Sequence, residues 1–219
     1  MCGRYTLKKT NKDLEEQFKI AYSSIKVQQR FNIAPTQIVP TVIETDKGNE
    51  LHGYRWGLIP HWAKDKSIGN KLINARAETV HEKPSFRQSF KTQRCLIPAD
   101  GFIEWEKQGK EKYPHYICLK SNAVFAFAGV WAEWGTGEEV IRSCCIITTE
   151  ANPYLQPIHN RMPVILSPEV YSVWLASTTK AETLRSLLRS FPEEQMKEYE
   201  ISKEINSPKN DKAECLAPL

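Results

Sequence analysis

The chain has 219 residues, 41% of them hydrophobic and 26% charged, with a formal net charge of +4 at pH 7. That balance excludes a disordered polymer and suits a single domain, residues 1–219, with a real core. No apolar run is long enough to cross a bilayer as a helix, and no basic-then-apolar leader opens the chain; a cytoplasmic protein with no membrane partner is expected.

Six cysteines (Cys2, Cys95, Cys118, Cys144, Cys145 and Cys215) show no CxxC and no metal-type spacing. Free thiols are expected, with Cys118, Cys144 and Cys145 buried in apolar runs, and no metal or cofactor is implied. The mild positive charge permits a nucleic-acid partner without requiring one.

In chain order, "MCGRYTL" places a cysteine second. An initiator Met is trimmed when the next side chain is small, and Cys is small. "TNKDLEEQFKIA" reads as a short amphipathic helix capped by Thr10 or Asn11, with Leu14, Phe18 and Ala21 on one stripe. "QIVPTVIET" and "ELHGYRWG" form a hairpin around "DKGN". "RCLIPADGFIEWE" and "PHYICLK" flank the turn "KQGKEK", and "AVFAFAGVWAEW" and "VIRSCCIITT" flank "GTGEE". "SPEVYSVWLAS" starts a helix with Ser167 as cap and Pro168 at its first position. "KAETLRSLLRSF" reads as another, with Leu184, Leu187 and Leu188 on one face. Residues 201–219 are polar and proline-containing, a tail that either wraps the body or is partly disordered. Strands outnumber helices and are joined by short turns. An α+β fold follows, with a mostly antiparallel sheet or barrel and flanking helices.

Polar residues stand inside several apolar segments. Strand alternation in "LINARAET" puts Asn74, Arg76 and Glu78 on one face, which is ordinarily the solvent face. Glu104 lies between Ile103 and Trp105, where lost hydration would raise its pKa and make an acid for neutral pH; a surface Glu at a strand end is the commoner case. His159 lies between Pro157 and Pro163 in a segment expected to be extended, with Arg161 pointing the same way as a phosphate contact. Trp62 falls in a loop, exposed to stack on a base or folded over core.

Loss of Met1 would make these residues cohere. The α-amine of Cys2 would have a pKa of about 7.7–8.0, against about 8.5 for its thiol. Such a 1,2-aminothiol meets an aldehyde first as a Schiff base and then as a five-membered thiazolidine. Ring closure is intramolecular, with effective molarities of about 10⁵ M or more. An amide nitrogen, as with Met1 retained, is not nucleophilic.

The motifs "MCGRYTL", "RFNIAPTQ" (30–37), "RWGLIPHWAKD" (55–65), "INARAET" (73–79), "RCLIPADGFIEW" (94–105), "IHNRMPVIL" (158–166) and "ISKEINSPKND" (201–211) occur in this order. Together the sequence resembles the SRAP (SOS-response-associated peptidase) family, whose members couple to abasic sites in single-stranded DNA. The resemblance implies a sheet-rich fold with a basic cleft and Cys2 exposed after Met1 removal. It implies Cys2 as nucleophile, Asn74 as an orienting group, Glu104 as acid/base and His159 beside the sugar. It implies Arg4, Arg76 and Arg161 on phosphates, Asn32, Pro35 and Thr148 lining the cleft, and Trp62 stacking on or wedging between bases. Ile103 stands where Tyr is frequent, Asn160 where Asp is frequent, and Ala63 where some relatives carry a second Trp.

The reading is a monomeric protein that cross-links to abasic single-stranded DNA in the DNA-damage (SOS) response, shielding the lesion. It would work at the nucleoid, with replication-fork proteins as further candidate partners. A lyase outcome, a thiol peptidase acting on its own N-terminus, and a non-covalent single-strand binder stand beside it.

Overall fold

A computed structural model describes residues 2–219, apart from the side chain of Glu138. Expectations that concern Met1 lie outside the described residues. Strand β1 (Arg4–Leu7) leads into helix α1 (Asn11–Phe18). Thr10 donates its backbone N–H to the Asp13 carboxylate at 2.8 Å, so the helix start satisfies a donor locally. The helix ends at Lys19, which turns left-handed with φ 51°. Strand β2 (Ile20–Ser23) begins at once, so Ala21 is exposed on a strand and not on the helical stripe.

The chain continues through β3 (Arg30–Ile33), the hairpin β4 (Ile38–Thr45) and β5 (Gly48–Trp56), and the short β6 (Asn74–Arg76). Helix α2 (Arg87–Thr92) precedes β7 (Arg94–Ala99), β8 (Gly101–Gln108) and β9 (Glu111–Leu119). The hairpin β10 (Phe125–Trp134) and β11 (Ile141–Glu150) is followed by β12 (Arg161–Pro163) and β13 (Ile165–Leu166). Helices α3 (Tyr171–Leu175) and α4 (Ala181–Ser186) and strand β14 (Met196–Glu200) complete the chain before the tail.

The strands form two sheets. One is five-stranded, in the order β14-β9-β8-β1-β3. In the other, β11 pairs with β10 and β5, β5 with β4, β4 with β7, and β7 with β10, which closes a ring. The α+β class with a largely antiparallel, barrel-like core is therefore observed. Among the described residues three pairings are parallel, β2 with β5 and β11 with both β5 and β6.

The apolar run predicted as one strand, "RCLIPADGFIEWE", is two. It breaks at Asp100, so β7 belongs to the ring and β8 to the five-stranded sheet. Buried Asp100 stitches the break, accepting from the Thr6 hydroxyl and from Lys8 N–H, each at 2.5 Å. A side chain on Gly101 would meet the Tyr116 hydroxyl at 2.2 Å, so glycine leaves the Tyr116 ring its place against the start of β8. Tyr5 of β1 meets the rings of Trp56 and Phe127 edge-on at 5.3 and 5.6 Å, joining the two sheets into one core.

The late helices are shorter than expected. Pro168–Val170 is a single 3₁₀ turn before α3, and α4 stops at Ser186, leaving Leu187 and Leu188 beyond it. All six cysteines are buried free thiols. The tail packs against the five-stranded sheet. Buried Asn32 donates its side-chain amide to the carbonyls of Ile205, Ser207 and Asn210 at 3.0, 3.0 and 2.9 Å. The Asp211 carboxylate accepts from the backbone N–H groups of Phe31 and Asn32 and from Arg30, capping edge strand β3.

Candidate active site

Strand β1 lies antiparallel to β8 with Arg4 opposite Ile103, which brings the chain's first residues beside Glu104. Cys2 has no exposed surface in this chain, which retains Met1 in its sequence; the exposed Cys2 expected above refers to the trimmed form. Burial pushes the Cys2 thiol well above its ordinary pKa, and the nearby Glu104 carboxylate pushes it further. The thiol is therefore held in its protonated form at neutral pH.

Glu104 is 4% exposed. Phe102, Ile117, Leu155 and Ile158 pack around it and around His159. Burial among these groups pushes its carboxyl up to about 7. The surface alternative considered for Glu104 is thus set aside by its position in the middle of β8, with β1 on one side and β9 on the other.

His159 is half-buried and lines the same cleft as Glu104. Its segment is not extended as predicted. His159 N–H bonds to the Leu155 carbonyl at 3.0 Å, closing a turn that swings the imidazole toward β8. His159 Nδ1 lies 2.9 Å from the Arg161 backbone N–H and 3.2 Å from the Arg161 carbonyl, so the Arg161 backbone fixes the ring's orientation. Burial lowers the imidazole's pKa, favouring the neutral ring.

Arg161 borders the same small cavity as Glu104 and His159, and Thr148, Arg76 and Asn74 follow from it through the β11–β6 strand pair. Arg161 donates to the Thr148 carbonyl at 2.6 Å, and Thr148, itself buried, sits in register with Arg76 across the parallel β11–β6 pair. Arg76 is exposed. Asn74 donates to the Ile73 carbonyl at 3.0 Å, and its Oδ1 is buried without a hydrogen-bond partner among the described residues.

Arg4 donates to Asn32 Oδ1 at 2.8 Å and to the carbonyls of Ile205 and Asn206 at 2.8 and 3.0 Å. Its guanidinium also lies over the Trp105 ring at 5.9 Å. Asn32 serves the tail in the same way, and Pro35 lies half-buried just beyond β3. Trp62 is 49% exposed in a second cleft with Lys64, Asp65 and Lys71. Among the substituted positions, Ile103 is buried, Asn160 is exposed and Ala63 accepts from Trp134 Nε1 at 2.7 Å.

Four residues not expected at the site line a cleft of about 540 Å³ with Glu104 and His159: Trp105, Lys107, Lys112 and Asn206. The lysines were hidden inside a segment read only as a polar turn, and Asn206 inside the tail. A cleft with a buried acid of pKa near 7, an adjacent thiol and a neutral imidazole suits proton-assisted nucleophilic chemistry. Among the described residues, no His, Cys, Asp and Glu group is placed to hold a metal.

The family model for SOS response associated peptidase (SRAP) matches residues 1–208, and the chain belongs to that family. It is 45% identical over 221 residues to the abasic site processing protein YoaM of Bacillus subtilis, covering 99% of this chain and 97% of that one. It is 30% identical to the abasic site processing protein YedK of Escherichia coli, covering 100% of both. A crystal structure of a protein from Bacteroides thetaiotaomicron matches with a TM-score of 0.90 at 26% identity, over the whole of both chains.

Proposed function

We propose that this chain processes abasic sites in single-stranded DNA, by forming a thiazolidine between Cys2 and the ring-opened deoxyribose. The observation that carries the reading is the enclosure of the Cys2 thiol against Glu104, a carboxyl whose pKa is raised to about 7. The names of the relatives support the same lesion as substrate.

Met1 leaves first, by hydrolysis of the Met1–Cys2 amide, through the chain's own thiol or a separate aminopeptidase. The freed α-amine adds to the C1′ aldehyde, giving a carbinolamine. Protonated Glu104 donates to the departing hydroxyl, water leaves, and an iminium forms. The Glu104 carboxylate then takes the thiol proton as sulfur attacks the iminium carbon. One water is lost overall, and Glu104 ends protonated. His159 and Asn74 orient the opened sugar, while Arg76 and Arg161 hold flanking phosphates.

The closed ring ties up the aldehyde and shields the strand from cleavage. β-Elimination from the Schiff base is the competing lyase route, and slow ring closure would favour it. The role belongs to the DNA-damage (SOS) response in the cytoplasm, at the nucleoid, with a monomer acting on each lesion.

The test is incubation with a single-stranded oligonucleotide carrying one abasic site, followed by denaturing electrophoresis and intact mass. The expected product lacks Met1 and weighs protein plus DNA less one water. Cys2→Ala should form none. Cross-linking by Cys2→Ala at the wild-type rate, or by chains that keep Met1, would defeat the reading.

A further inference from the structure

Lys107 and Lys112 face each other directly across the β8–β9 hairpin. Like charges in that position destabilise a sheet. Both are exposed and line the cleft that contains Glu104 and His159. Neighbouring charges are committed elsewhere. Lys203 bonds Glu111 at 2.8 Å and covers the Tyr113 ring at 4.4 Å, and Glu106 accepts from Gln108 at 2.8 Å. Among the described residues, neither Lys107 nor Lys112 has a carboxylate within ion-pair reach.

Asn206 enters the same cleft from the tail. Its Oδ1 accepts from Trp105 Nε1 at 2.8 Å, and its backbone carbonyl accepts from Arg4 at 3.0 Å. With the oxygen so occupied, the side-chain NH₂ is the end left to meet a ligand. Two ammonium groups and an oriented amide donor on one wall match an anionic, oxygen-rich ligand.

From this arrangement we infer that Lys107, Lys112 and Asn206 form a backbone-phosphate subsite for single-stranded DNA, separate from the phosphate contacts proposed for Arg76 and Arg161. The inference rests on the proposed function for its choice of ligand. Lys107 is three residues along β8 from Glu104, about 10 Å, so it meets a phosphate flanking the lesion and not the reacting sugar. A strand held at both sets of contacts is drawn across Glu104 and His159.

The test uses intact oligothymidylate, which carries no aldehyde and so reads phosphate binding without the Cys2 chemistry. Anisotropy titrations over a salt series compare wild type, Lys107→Ala/Lys112→Ala, and a control, Lys47→Ala/Lys180→Ala, that removes the same charge from exposed sites outside the cleft. Loss of two contacts should weaken binding about tenfold at about 50 mM salt and flatten the log–log salt slope by about 1.4, with the control near wild type. A cleft variant indistinguishable from the control, or a wild type that does not bind the intact strand, overturns the subsite. Failure of the adduct assay with binding intact would instead overturn the thiazolidine reading alone.

Discussion

Arg161 holds Glu78 through two parallel hydrogen bonds, Nη1 to Oε1 at 2.7 Å and Nη2 to Oε2 at 3.0 Å. The arginine side chain is 13% exposed and the glutamate 47%. These bonds from Arg161 hold the Glu78 carboxyl below its ordinary pKa, so it is ionised at neutral pH. The guanidinium proposed to grip a phosphate is thus already occupied by an internal anion of similar shape.

Neutralising that competitor should strengthen DNA binding. Glu78→Gln is expected to tighten the complex with single-stranded DNA several-fold and to steepen its salt slope by about 0.7, the increment for one more phosphate contact. Salt-dependent anisotropy measures both. Weaker binding by this variant would mean that Glu78 positions Arg161 and does not mask it.

Glu104 makes a double prediction. On the proposed route, cross-linking needs Glu104 protonated and the α-amine free, so its rate should peak between about pH 7 and 8 and fall on both sides. Glu104→Gln should slow adduct formation by about 10²-fold or more and remove the alkaline limb. The stability effect has the opposite sense. The folded chain keeps this proton to about pH 7, the unfolded chain only to about 4.3. Between those values the folded state binds more protons, so stability falls as pH rises. Glu104→Gln should therefore be the more stable protein at pH 8, by roughly 3.5 kcal/mol, with the gap closing toward pH 5. Urea midpoints across that range test the sign.

Asn32 should prove structural. Asn32→Ala removes the one amide NH₂ that reaches three tail carbonyls and the acceptor for Arg4. A loss of about 2 kcal/mol or more is expected, with faster proteolysis within residues 201–219. Unchanged stability with reduced DNA affinity would return Asn32 to the cleft lining.

Trp62 makes the reverse case. Its ring is half-exposed, and Nε1 donates weakly to the Pro84 carbonyl at 3.4 Å. Trp62→Ala should leave the urea midpoint in place while costing about 1–3 kcal/mol of single-strand binding, the value of one base stacked on an aromatic ring. Full binding by this variant would remove Trp62 from the DNA path.

Local chemistry was legible in the chain. The capping residues of α1, the β4–β5 and β10–β11 hairpins, the apolar neighbours of Glu104 and the placement of Cys2 all depend on residues a few positions apart, where periodicity and turn preference act directly. The helix lengths were less legible, because tertiary packing and not propensity sets where a short helix stops. The split of one apolar run at Asp100 was hidden as well, since its partners, Thr6 and Lys8, lie on β1 and just beyond it.

By itself, then, the amino-acid order determined the α+β class, the family, and which side chains have the chemistry to act. Only the folded chain decided their company: Glu104 against Cys2 through the β1–β8 register, His159 carried in by a turn, Arg161 held by Glu78, and Asn32 spent on a tail more than 170 residues away. Register and long-range hydrogen bonds follow from how the two sheets share one core. That packing is a property of the whole chain, which no local window contains.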